Sequence, residues 1–142
     1  MPISSLTRAS ILDLTFLALA WADFAQNDTT APATQISFAL MSADPTPDGF
    51  MNTNEATYTG YTRINVDRNP AGFVRTVNSV SPLADITFPV GSGAGGTLTH
   101  FASGYPGAGA MPILWSGTIT PNVNSGVGIR PILINSTAMT LI

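Results

Sequence analysis

His100 is the only histidine among the 142 residues, so it is the one side chain whose ordinary pKa suits base catalysis near neutral pH. Thr99 and Phe101 flank it in an alternating stretch, and no serine stands in a nucleophile-elbow context. His100 therefore reads as a hydrogen-bonding structural residue. Gly91 to Gly96, GSGAGG, meets the spacing G-x-G-x-x-G, which in dinucleotide-binding proteins lets a pyrophosphate approach a helix N-terminus. Here Thr97-Leu98-Thr99-His100 follows with a strand pattern, and no acid lies downstream to hold a ribose. A Walker loop needs a lysine, and the chain has none. Asp44, Asp48 and Glu55, with Asn52 and Asn54, put oxygen ligands suited to calcium in one loop region; the spacing is not that of an EF-hand, and a solvated turn is the simpler reading. With no cysteine there is no thiolate metal site or disulfide. The expectation is a non-enzyme with no catalytic residues, no cofactor and no bound metal.

Other residues suit contact better than chemistry. Tyr58, Tyr61 and Arg63 lie close together, and Tyr and Arg are enriched at interface hot spots. Leu14, Leu17 and Trp21 sit on a leading apolar segment with a helical repeat, and Arg130 stands alone in a neutral region. These seven are the candidate interface residues. Trp115, within ILWSG, reads as core.

The elements that must position them are mostly strands. Ile86, Phe88 and Val90 alternate with Thr87 and Pro89, Gly91 to Gly96 supply almost no side chain, and Gly96 to Phe101 alternates again. Ala84 to Phe101 thus predicts a β-hairpin with a mobile tip. Gln35–Met41 alternates Ile36, Phe38 and Leu40 on one face, and Gly60–Val66 repeats the pattern. Further strands are expected over 73–80, 113–120, 127–134 and 138–142. Before them, from Ser4 or Ser5 as N-cap, Ile11, Leu14, Ala18, Trp21 and Ala25 fall on one helical face, with Leu12, Phe16 and Leu19 on the other. A helix apolar on both faces is buried on both, so residues 5–26 are expected to dock between the chain's own sheet and a partner. A secretory signal peptide is the rival reading; Asp13 in the apolar run and a single basic residue, Arg8, argue against it. Asp13 and Asp23 bracket too few apolar residues to span a bilayer. The rhythm of short strands and turns predicts a mainly β fold, an antiparallel, jelly-roll-like β-sandwich over 34–142 with one N-terminal helix, in a single domain of residues 1–142.

Charge bounds the setting. Charged residues make up 9% of the chain, against roughly 25% in ordinary soluble proteins. All five basic residues are arginines, and the net charge of −3 offers no electrostatic footprint for nucleic acid or an anionic membrane. After Asp85 the only fixed charge is Arg130. So neutral a half-chain is expected to be covered by neighbours, because charge repulsion is what keeps such surfaces apart in solution.

An ordered set of short motifs then carries a family resemblance. Ile11-Leu12-Asp13, Ala31-Pro32-Ala33-Thr34, Ala43-Asp44-Pro45 and Gly60-Tyr61-Thr62-Arg63 are followed by Ile86-Thr87-Phe88-Pro89, Gly96-Thr97-Leu98-Thr99-His100-Phe101 and Leu114-Trp115-Ser116-Gly117-Thr118-Ile119-Thr120-Pro121. In this order they resemble a family of small tailed-bacteriophage virion structural proteins, usually labelled tail fibre, minor tail or virion structural proteins. The resemblance covers nearly the whole chain, with two departures, at Gly95 and in the Tyr105–Ala110 turn. It implies a non-enzymatic part of the virion whose partners are further copies of itself and other virion proteins, such as the major capsid protein or tail proteins. The leading expectation is a capsid decoration or cement protein; the alternative is a tail-fibre, tail-tip or baseplate component with a host-recognition or assembly role.

Overall fold

The computed structural model describes residues 5–20, 32–45, 49–135 and 137–140. It is mainly β, with antiparallel pairing within its three sheets and one N-terminal helix. Helix α1 (Ser5–Phe16) precedes β1 (Gln35–Met41), β2 (Ile64–Asp67), β3 (Phe73–Thr76), β4 (Ser79–Pro82), β5 (Ile86–Thr87), β6 (Thr97–Gly104), β7 (Ile113–Asn124), β8 (Ile132–Leu133) and β9 (Met139–Thr140). A four-stranded sheet runs β2-β1-β6-β7, a three-stranded sheet β3-β4-β9, and a two-stranded sheet β5-β8. All three sheets and α1 contribute to one buried cluster, a sandwich-like arrangement.

Strand β1 forms over the expected residues and is central to the large sheet. Ile36, Phe38 and Leu40 enter the main core as the alternation requires. Ser37, Ala39 and Met41 are buried as well, because the loop carrying Met51 and the approach to β7 cover the second face. There Met51, Ala102, Met111 and Ile113 gather around Ala39 and Met41. The small side chains at 37 and 39 leave room for that cover, so both faces of this strand are dry.

The hairpin expected over 84–101 does not form. Strand β5 pairs with β8 in the register Ile86↔Leu133, Thr87↔Ile132. Strand β6 lies between β1 and β7. Gly91–Gly96 is a packed crossing rather than a mobile tip. Gly91 N–H donates to the Ile129 carbonyl and Gly128 N–H to that of Gly91, while Ser125 N–H donates to the Gly96 carbonyl. A Cβ at Gly95 would overlap the Ser125 carbonyl, and one at Gly91 the Gly126 carbonyl. The glycines are there for close backbone approach.

Other boundaries move for local reasons. Residues 73–80 contain most of a hairpin, β3 and β4, whose two-residue turn Val77-Asn78 lacks the glycine or proline that would announce it. Strand β2 starts only at Ile64, because Tyr58–Tyr61 closes a turn through Gly60 at φ +95°. Strand β7 runs four residues beyond its expected end, whereas the two C-terminal strands shrink to two residues each.

The leading helix is also shorter than the expected 5–26. It ends at Phe16, Ala18 takes φ 56°, and the Leu17 and Leu19 N–H groups both return to the Asp13 carbonyl. Nothing in Leu17-Ala18-Leu19-Ala20 is a helix breaker by propensity. The stop is tertiary: the Arg68 guanidinium donates to the Leu14 and Thr15 carbonyls and, at 2.9 Å, to that of Ala33, satisfying C-terminal groups the helix leaves open. Residues 21–26 of the expected helix lie outside the described residues. Leu12 and Phe16 are fully buried, and the Phe16 ring sits 5.2 Å from Phe73 and 5.3 Å from Trp115. Asp13 pairs with Arg75 on β3. The helix is thus bound firmly to its own body; among the described residues no helix is long and apolar enough to cross a membrane.

Candidate functional site

Three of the seven candidate contact residues converge, but inward. After β1 the chain turns back beside it: Ser42 N–H donates to the Asn54 carbonyl and Ala56 N–H to that of Leu40, both at 2.8 Å. This brings Glu55 to Arg63, the residue just before β2. Arg63 grips the Glu55 carboxylate with two bonds of 2.7 Å, Nε to Oε1 and Nη2 to Oε2. The same guanidinium donates to the carbonyls of Gly107 at 2.8 Å and Gly109 at 2.7 Å. The side chains of this pair are only 9% and 17% exposed. The Tyr61 hydroxyl donates to Glu55 Oε1 at 3.1 Å and accepts the Leu40 N–H at 3.2 Å.

The electrostatics follow from this packing. Burial, helped by the Glu55 carboxylate, pushes the Tyr61 phenol far above its ordinary range. The bonds to Glu55 push the Arg63 guanidinium up. Burial likewise raises the Tyr58 phenol. Tyr58 is only 5% exposed, its hydroxyl donates to the Pro89 carbonyl at 2.9 Å, and its ring meets Tyr61 edge-on at 5.3 Å. Tyr61 in turn stacks on Phe88 at 6.1 Å. Tyr58, Tyr61 and Arg63, expected as interface residues, are thus engaged by groups of their own chain. They are a structural knot that ties the 49–63 loop and the glycine turn at 107–109 to the large sheet.

Beside the knot lies a cleft of about 430 Å³ lined by Ser37, Glu55, Tyr61, Arg63, Asn65 and the glycine turn. Its charged groups are already matched to each other, and the Ser37 hydroxyl is bonded to Asn65 Oδ1. A larger groove of about 570 Å³ runs along β7 beside residues 132–134 and 137–140.

The remaining candidates scatter. Leu14 is half-buried on α1, and Leu17, also half-buried, packs against the main core. Trp21 lies outside the described residues. Arg130 is exposed, just before β8. His100, on β6, has Nδ1 2.8 Å from the Thr99 hydroxyl, which itself donates to the Ser42 carbonyl at 3.0 Å. With that hydroxyl proton committed, Nδ1 carries the donated hydrogen, a structural role. Glu55 belongs to the Arg63 knot, and Asn54 Nδ2 donates to the Asp44 carbonyl at 3.0 Å. Among the described residues no cluster of acids and histidine is arranged to hold a metal; Asp48 lies outside them. The glycine motif leads into strand β6, not into a helix N-terminus.

Two features escaped the sequence. Arg68 and Arg75, which hold α1, carry no local signal, since their partners stand more than fifty residues earlier in the chain. Nor did the sequence show that Ile129, Ile132 and Ile134 are exposed while Leu133 between the last two is buried.

No curated protein matches the chain. A family model does match, over residues 3–126, and its description is Podophage GP4 fiber I protein gp80. The match begins ahead of α1 and runs past the end of β7, so it takes in the helix, the knot and the whole four-stranded sheet. The chain belongs to this family of phage fibre proteins, structural components of the virion.

Proposed function

We propose that the protein is a non-enzymatic, fibre-type component of the phage tail, and not a cement protein of the capsid. The observation that carries this reading is the fibre family match across most of the chain. The geometry supports the non-enzymatic part, because the buried ionisable groups that come together, Glu55, Arg63 and Tyr61, neutralise and anchor one another. A carboxylate held by two guanidinium bonds and a phenol kept protonated by burial stabilise a loop; they do not poise a proton for transfer. In this reading the β body offers rigid surface to further copies and to neighbouring tail proteins, and affinity comes from buried area.

Quantitative mass spectrometry of separated heads and tails tests the proposal. The protein is expected in the tail fraction, at far fewer copies than the capsid has subunits. Its recovery with heads, at a copy number comparable to that of the shell protein, would favour the cement role and overturn the proposal.

A further inference from the structure

The outward face of the small β5-β8 sheet is apolar in the middle and oppositely charged at its two ends. Ile86 and Leu133 point into the core, so Thr87 and Ile132 point out, and the ladder continues as the Phe88 N–H donates to the Pro131 carbonyl. Ile132 is 41% exposed and Ile134 53%. Leu83 and Ile129, outside the two strands, are exposed as well. Asp85 stands opposite Ile134 at one end, exposed, with one carboxylate oxygen accepting the Asn135 N–H at 2.7 Å. Arg130 stands four residues before Ile134, at the other end, also exposed. At about 3.3 Å per residue the two charges lie roughly 13 Å apart along the strand.

This pattern is self-complementary. A two-fold axis through Ile132 lays the face on a second copy with the strands reversed, so that each Arg130 meets the other copy's Asp85 and Ile132 packs on its own mate. A closed two-fold contact demands that reciprocity: if one residue meets another, the second must meet the first. A single turn places both ion pairs at the rim and the isoleucines at the centre, the usual division between polar rim and apolar core of an interface. The charges concerned are the last acid of the chain and the only fixed cation after it.

We infer that the β5-β8 face binds a second copy of this chain about a two-fold axis at Ile132, with reciprocal Arg130–Asp85 pairs. The inference concerns the purified chain and does not depend on where in the virion the protein sits.

Light scattering on the eluting full-length protein gives the test. The wild type is expected at twice the chain mass. Arg130→Asp and Asp85→Arg are each expected as monomers, since each brings like charges together. Their equimolar mixture is expected to return to the doubled mass, because every contact is then opposite in sign. A wild type of one or three chain masses overturns the inference, as do single variants that remain dimeric or a mixture that stays monomeric. Should Asp85→Arg fail to fold for want of the Asn135 bond, Ile132→Cys decides. The chain has no cysteine of its own, so a covalent dimer formed on mild oxidation upholds the axis and its absence refutes it.

Discussion

Arg63 shows how one side chain can replace an apolar core where the chain is short of charge. Its fork satisfies a carboxylate and two backbone carbonyls at once. Removing one partner of so enclosed a pair strands the other, at a cost of about 3–5 kcal/mol. Arg63→Ala is therefore expected to lower unfolding stability by about that amount in urea titrations, and a loss within experimental error would show that the knot is ornamental. Tyr61 gives the matching pH effect. Its phenol is raised in the folded protein from an ordinary value of 10.0, so above about pH 10 the unfolded chain releases a proton that the folded one keeps. Stability is then level below that pH and falls above it. Tyr61→Phe is expected to flatten the alkaline fall in an unfolding series, and an unchanged slope would assign the fall elsewhere. At this scale the sequence revealed the neighbours Tyr58, Tyr61 and Arg63 but not their direction. Glu55, eight residues before Arg63, holds Tyr61 and Arg63, and only the fold of the intervening loop brings it to the guanidinium; Tyr58 is held by the Pro89 carbonyl.

Among the elements, the glycine crossing at 91–96 carries the clearest consequence. Were it a free hairpin tip, alanine would be tolerated equally along it. Instead a Cβ at Gly95 collides with the backbone at Ser125, whereas one at Gly96 meets open space. Gly95→Ala is expected to destabilise by about 1–3 kcal/mol, the usual cost of overpacking. Gly96→Ala should cost about 1 kcal/mol or less in the same thermal melts. Equal effects would restore the mobile tip. Strand existence was readable wherever alternation was strong, as in β1, since period two with aromatic and β-branched residues has few other outcomes. Strand pairing was not, because β5 finds β8 across some forty-five residues of chain and no local signal encodes that choice. The helix stop at Phe16 was hidden for the same reason: its cap is Arg68, a distant side chain, acting against good local propensity.

Over the whole molecule, the scarcity of charge takes on a definite form. Three of the five arginines are spent within the chain: Arg63 on a loop, Arg68 on the helix end and Arg75 on Asp13. What remains outside in the second half is nearly neutral, with apolar side chains at the β5-β8 face and a long groove beside β7. A surface of that kind suits continuous contact with neighbours in an assembly. The β fold and the phage resemblance were legible in the ordered motifs; the choice between shell and tail was not, because the same polar, uncharged strands would serve either. A density map of the intact particle tests the tail assignment most directly. This fold is expected in the tail fibres or their attachment and not in the capsid lattice. Density for it repeated over the shell, with none in the tail, would contradict the assignment.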